Sequence, residues 1–294
     1  MLLVTGITGH TGKYFLQQLI DNNYKGTIRC IIRETSDSSC LDKSGLDIEK
    51  VVGDITNELF LNECMKDVST IVHIVNIRYT LKIVEIAIKN NVSRAIFVHT
   101  TGVYSKFKSA SEEYKMIESK LEEILTNSTI KVTVLKPTMI YGDLCDHNMS
   151  RFIKMIDKFR VFPVIDHGKG LIQPVNARDL GKAYYQVLVL PCENAKSEYI
   201  LSGEKPIEMK KVLKTISNNL GKKTTFISVP LNVGVFLARF LKVATIGKVK
   251  YVEQVQRMSE DRCFTYEEAK KDFGFKPEPF EIGIGREIKQ YLDR

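Results

Sequence analysis

Tyr114 and Glu118 stand four residues apart in SEEYKMIESKLEEILTN, a stretch whose apolar spacing predicts a helix. Residues at that spacing share one helix face, so a phenol and a carboxylate become neighbours. An ionised carboxylate beside a phenol disfavours the phenolate form. The pair therefore reads as a neutral tyrosine that can donate a proton to a carbonyl undergoing reduction, while taking a proton from a hydroxyl is harder. The alternative for Glu118 is an exposed glutamate on a solvated face shared with Glu122 and nearby lysines.

A second group of residues is suited to holding an anion. Gly6, Gly9 and Gly12 in TGITGHTGKYF separate an apolar strand from a helix, with Thr8, His10 and Thr11 filling the turn. The first glycine permits the tight turn, the second lets the backbone approach a pyrophosphate, and the third lets helix and strand pack closely. The helix start then offers unpaired N–H groups to the phosphates. A ribose-reading acid is expected about twenty residues further on, where this chain has IIRETS and Arg33. A guanidinium there suits a 2′-phosphate, so the reading is NADP, with NAD left open by Glu34. In VVGDIT, Asp54 is placed to accept from an adenine amino group with Ile55 beside it, or is a plain strand-end turn aspartate.

The elements that must carry these groups alternate. Runs rich in Val and Ile (LLVTG, TIRCIIR, EKVVGD, STIVHIVN, RAIFVHTT, KVTVLK) are separated by helix-period stretches. Strands with so little polar alternation are buried on both faces, which predicts an α/β fold: a doubly wound parallel sheet of Rossmann type with helices on each side. After Tyr141 the rhythm loosens, with helices expected near 149–158, 178–190, 207–219 and 265–272 and strands near 170–176 and 223–229. The expected division is a dinucleotide-binding domain over 1–142 and a smaller, mainly substrate-binding α/β lobe over 143–294, interleaved with the sheet around 170–190.

Taken in order, TGITGHTG, IIRETS, VVGDIT, IVHIVN, HTTGVYS, Tyr114 and LKPTMIYG resemble the short-chain dehydrogenase/reductase superfamily, in its extended and atypical branches of NAD(P)-dependent nucleotide-sugar epimerases and dehydratases. LIQPVNARDLGKA (171–183), YILSGEKPIEMKKVLKTI (199–216) and AKKDFGFKP (269–277) add to the resemblance, which covers nearly the whole chain. It implies a nicotinamide cofactor lined by Val75 and by Lys136-Pro137, the latter standing where the family usually has Arg-Pro. It also implies a substrate-orienting hydroxyl at Thr100, with Thr101 adjacent, and a tyrosine at Tyr114. The family's lysine, four residues after that tyrosine, is Glu118 here. The loop CDHNMSRF (145–152) with His147, and Arg151, Gln173 and Arg178, are candidates for gripping a diphosphate or sugar. His73 and His99, on buried strands, read as packed. Two functions follow: an epimerase/dehydratase-like oxidoreductase acting on a nucleotide sugar or related small carbonyl compound, or a non-catalytic NADP-binding redox sensor. A homodimer through helices near 79–91 and 111–126 is implied by the resemblance alone.

Composition narrows the field further. At 294 residues and 44% hydrophobic, the chain has the material for a globular core, which excludes fibrous and disordered classes. The net charge of +8 comes without a block of like charges, so no nucleic-acid partner is expected. Six cysteines with no CxxC pair predict neither a metal site nor a disulfide framework and fit a cytoplasmic protein. The most membrane-like run, VPLNVGVFLARFLKVATIG (229–247), is interrupted by Arg239 and Lys242. It is expected to be a buried helix of the second lobe, with no membrane partner.

Overall fold

The structure, a computed structural model, describes residues 1–107, 109–244 and 251–294. The first half alternates strictly: β1 (Leu2–Thr5), α1 (Gly12–Asp21), β2 (Ile28–Ile32), a short α2 (Ser39–Asp42), β3 (Ile48–Val52), α3 (Glu58–Cys64), β4 (Thr70–His73), α4 (Thr80–Lys89), β5 (Arg94–Val98), α5 (Ser111–Thr126) and β6 (Lys131–Pro137). The second half has shorter pieces. They are β7 (Ile140–Tyr141), α6 (Met149–Lys158), β8 (Val161–Ile165), β9 (Leu171–Ile172), β10 (Val175–Asn176), α7 (Ala177–Val189), β11 (Glu198–Leu201), β12 (Ile207–Glu208), α8 (Met209–Asn219), β13 (Thr225–Val229), α9 (Leu231–Ala244), α10 (Val252–Arg257), α11 (Glu267–Phe273) and α12 (Phe280–Leu292).

Seven strands form one parallel sheet in the order β11-β6-β5-β4-β1-β2-β3. Every residue of β1 and β5 is buried, as continuous apolar strands with helices on both faces require. The chain winds outward in both directions from β1, which pairs with β2 on one side and β4 on the other. Thr5 lies opposite both Ile31 and His73, so the residues that follow β1 and β4 meet at the switch point of the sheet, where open α/β folds bind ligands.

Two apolar layers sandwich this sheet. On one side Leu2, Val4, Phe15, Leu19, Val72, Ile96, Leu180, Tyr184 and Tyr199 pack under α1, α7 and α11. On the other, Leu3, Leu61, Ile71, Ile83, Ala87, Phe97 and Leu121 pack under α3, α4 and α5. A third cluster, with Met149, Ile153, Phe162, Leu213, Ile216 and Ile284, forms the interior of the region built by α6, α8 and α12. Each fully buried aliphatic or aromatic side chain in these layers stabilises the fold by about 1.5–3 kcal/mol relative to exposure. The late strand β11 joins the central sheet beside β6, so the second half of the chain completes the sheet as well as building its own core.

The apolar run at 229–247 departs from the expectation. It forms α9, but Val233, Phe236, Leu237, Phe240 and Val243 are exposed, so the helix is not buried; residues 245–247 of the run lie outside the described residues. No described helix is long and apolar enough to cross a membrane.

Helices α1 and α7 approach closely because Gly181 has no side chain. A Cβ there would lie 2.4 Å from the carbonyl carbon of Tyr14 and 2.7 Å from the amide of Phe15. Gly181→Ala should therefore destabilise the fold by about 1–3 kcal/mol, the overpacking cost exceeding the gain in helix propensity. Thermal denaturation checks this; a midpoint at or above wild type would mean that α1 and α7 separate freely.

Candidate functional site

The turn after β1 is tight because its glycines allow it to be. Gly6 has φ +79°, and a Cβ on it would come within 2.9 Å of Val75 Cγ2 across the switch point. A Cβ on Gly12 would lie 2.0 Å from the Gly6 carbonyl oxygen. The Gly9 amide donates to that same oxygen at 3.0 Å, closing the turn. Thr11 is the N-cap of α1 without a side-chain capping bond, and the amides of Thr8, His10 and Thr11 make no hydrogen bond to the described protein. This is a cradle of unpaired donors at a helix start, the geometry a pyrophosphate requires, and the residues present fit a dinucleotide.

The turn is held from the far half of the chain. His10 Nε2 donates to the Gly142 carbonyl at 2.6 Å. Asp143 accepts from the Tyr14 hydroxyl at 2.7 Å and pairs with His10 and Lys13. Burial pushes the Asp143 carboxyl up, but the hydrogen bonds from His10, Lys13 and Tyr14 overcome this and hold it well below the usual carboxylate range. The adjacent Leu144 amide donates to Glu287 Oε1 at 3.2 Å, which ties the same loop to α12. Burial, reinforced by the neighbouring Asp146 carboxyl, keeps Glu287 protonated well above its ordinary range.

The residues expected to choose the cofactor are spread along the sheet edge. Arg33 follows β2, is exposed and forms no ion pair with the described residues. Asp54 follows β3; its Oδ1 accepts the Thr56 amide at 2.8 Å, a bond that holds its carboxyl below the ordinary value. Ile55 is half-buried against the apolar layer under α3 and α4.

The second half of the site is formed by the ends of β5 and β6. Thr100 caps a 3-10 turn (Thr101–Tyr104), its hydroxyl accepting from the Gly102 amide at 3.0 Å, while Thr101 Oγ1 donates to the Pro137 carbonyl at 3.2 Å. Tyr114 is only 8% exposed; it packs with Ile77, Val103 and Ile117, and the Arg78 guanidinium lies 5.5 Å from its ring centroid. Arg78 is itself gripped by both oxygens of Glu113.

Glu118 is not on a solvated face. Its Oε1 accepts from His99 Nδ1 at 3.1 Å and its Oε2 accepts from Lys136 Nζ at 3.0 Å. Lys136, buried on β6, also reaches Glu198 Oε2 at 2.5 Å and the Tyr104 hydroxyl at 3.0 Å, and that hydroxyl donates to Glu198 Oε1 at 2.9 Å. Burial pushes the Lys136 ammonium down, and the bonds to Glu198, Tyr104 and Glu118 carry it above its ordinary value instead. Burial likewise raises Glu118, and the bonds from His99 and Lys136 more than reverse this, leaving it below the usual range. Burial also raises the Tyr104 phenol; Lys136 lowers it, Glu198 raises it again, and the phenol stays neutral. A lysine thus does meet the helix position where the resemblance implied one, but it arrives from β6 and is charged and paired with two carboxylates.

Next to this network lies a cavity of about 310 Å³, lined by residues that include Thr100, Tyr104, Pro137, Thr138, Arg257, Glu260, Asp261, Arg262 and Phe264. The Nε atoms of Arg257 and Arg262 are buried and have no hydrogen-bond partner among the described residues. Burial, aided by Arg257, lowers the Arg262 guanidinium to about 10, so it remains charged at neutral pH. Sequence reading missed both arginines: they sit in QRMSEDRCF, a stretch with no motif, and reach the cavity only through the fold. Of the earlier candidates, Gln173 lines the cavity, but its side chain is committed to Ser202, Gly203 and Phe264. His147 and Arg151 are exposed and not part of the lining, and Arg178 stacks on the Tyr14 ring at 4.7 Å. His73 is fully buried, bonds Thr5 at 2.6 Å, and is pushed down to about 4 by burial.

The model of the NmrA-like family matches residues 1–270, nearly the whole of this arrangement. The chain belongs to that family. This NmrA-like chain is also 22% identical over 197 residues to a mouse protein named short-chain dehydrogenase/reductase family 42E member 1; the match covers 61% of the chain and 49% of that relative, about half its length. Its fold is shared with a dTDP-glucose 4,6-dehydratase double mutant from Streptomyces venezuelae solved with NAD bound (TM-score 0.76, 16% identity, 100% of this chain and 97% of that one). It is shared too with a UDP-glucose 4-epimerase from Thermotoga maritima solved with UDP-glucose (TM-score 0.73, 16% identity, 99% and 98%). The resemblance to extended short-chain dehydrogenases/reductases, and the Rossmann-type sheet that it implied, are borne out.

Because the folded Glu118 carboxyl lies below its unfolded value, its contribution is fully present above about pH 4.5 and is lost as pH falls through the folded value. Glu118→Gln should cost about 1–3 kcal/mol at pH 7, and the difference from wild type should shrink steadily below pH 4. Denaturant titrations at neutral and acidic pH check this; equal stabilities at pH 7 would make Glu118 energetically idle.

Proposed function

We propose that this NmrA-like chain is an NADP-dependent oxidoreductase that reduces the carbonyl of a small, phosphate-bearing compound, a nucleotide sugar or a close relative. The observation carrying this reading is the cavity at the carboxyl ends of β5 and β6, whose lining brings Thr100 together with Arg257 and Arg262, beside Glu260 and Asp261. Two guanidiniums at one cavity are suited to phosphate. The glycine turn at Gly6, Gly9 and Gly12 would hold the dinucleotide pyrophosphate, and Arg33, which pairs with no carboxylate among the described residues, would take a 2′-phosphate. Hydride transfer is the chemistry that the nicotinamide supplies when bound. Thr100 orients the substrate oxygen. Tyr114 supplies the proton. Chemistry beginning with removal of a substrate proton is disfavoured, because Lys136, the lysine that reaches Glu118 from β6, is held by two carboxylates.

A second reading, a non-catalytic NADP-responsive protein, is favoured by the packing of Tyr114 among Ile77, Val103 and Ile117, away from the cavity lining. The two readings separate by experiment. Calorimetric titration should show NADPH binding, weakened about tenfold or more by Arg33→Ala with NADH affinity unchanged, the loss expected for one charge-assisted phosphate contact. If NADPH and NADH bind equally and Arg33→Ala affects neither, the choice of cofactor is wrong. In the enzyme, NADPH oxidation with phosphate-bearing carbonyl compounds should fall with Arg257→Ala or Arg262→Ala while NADPH affinity holds. Binding without turnover across such a panel selects the second reading.

A further inference from the structure

Helix α9 is built inside out. Its inner face carries small residues: Ala238 is 3% exposed, and a Cβ on Gly234 would come within 2.6 Å of Ile165 Cδ1 and 3.1 Å of Val255 Cγ1. Five of its large residues face outward. Val233, Phe236, Phe240 and Val243 follow one another at helical spacing with Leu237 beside them, and Phe236 and Phe240 are 68% and 63% exposed. Five large apolar side chains on one stripe form a contiguous patch of the kind that marks an interaction surface.

Charge identifies what covers it. Between Met209 and Val252 the sequence holds nine Lys or Arg and no Asp or Glu, so this segment alone accounts for the chain's net charge of +8. Arg239 and Lys242 belong to α9 itself, on the side of the helix away from the centre of the apolar stripe. A second copy docking stripe to stripe about a two-fold axis would bring each cationic segment against its twin, with no acid in the segment to pair it. An anionic bilayer surface meets both demands: acyl chains take Phe236, Leu237 and Phe240, and headgroup phosphates take the flanking cations. We infer that α9 is a peripheral membrane contact that lies in the plane of an anionic lipid surface. The attachment needs no spanning helix. Through α10, against which α9 packs and which carries Arg257, it also sets the cavity's arginine wall close to that surface.

The chain contains no tryptophan, so Phe236→Trp places a single reporter on the stripe. Its emission should shift to the blue with phosphatidylcholine vesicles doped with phosphatidylserine and hardly at all with phosphatidylcholine alone. Adding Phe240→Ser and Arg239→Glu to the reporter should weaken vesicle partition by roughly tenfold or more, and since all three positions lie outside the buried core, the thermal midpoint should be unchanged. Either of two results overturns the inference. One is an unshifted emission with both vesicle types. The other is an emission already blue without lipid together with a dimeric mass by light scattering that Phe240→Ser abolishes, which would make the stripe a contact between copies.

Discussion

The ammonium of Lys136 is buried on a central strand, and the surrounding site is arranged to keep it charged. An unpaired buried cation is costly, and removing one partner of such a pair is more damaging than removing both. Two carboxylates answer it here, Glu118 from α5 and Glu198 from the edge strand β11, with Tyr104 completing its hydrogen bonds. One interaction thereby joins α5, β6, β11 and the 3-10 turn that carries Thr100.

A similar arrangement holds the glycine turn. The glycine turn contributes geometry alone, and its position relative to the distal half depends on His10, Lys13 and Tyr14 converging on Asp143. The loop bearing Asp143 is anchored in turn to α12 through Leu144 and Glu287. Both the glycine turn and the Lys136 network are therefore tied to the second half of the chain by buried charged or hydrogen-bonded contacts, while the cavity beside the network is lined by two arginines whose Nε atoms have no partner among the described residues.

The sheet was legible in the sequence because strands covered on both faces must be continuously apolar, and helices α6, α7, α8 and α11 fall within a residue or two of where the spacing placed them. The glycine turn was legible because its constraints are local. Glu118 was placed on the correct helix, but its partner lies 18 residues on, in a strand, and nothing at positions 114–118 announces it. Arg257 and Arg262 escaped notice for the same reason: they meet Thr100 only because β9 pairs with the segment at Arg262. The run in α9 was misjudged because hydrophobicity shows that a segment avoids water and leaves open which side is covered; Gly234 and Ala238, the small residues of the inner face, were the overlooked sign.

The central claim, that Glu118 and Lys136 are bound to one another in the folded state, is most directly tested by a double-mutant cycle with Glu118→Gln and Lys136→Met, read as unfolding free energies at neutral pH. The account predicts a coupling of at least about 1 kcal/mol, each single variant leaving the other group buried and poorly paired. Additive effects, with a coupling inside about 0.5 kcal/mol of zero, would contradict it.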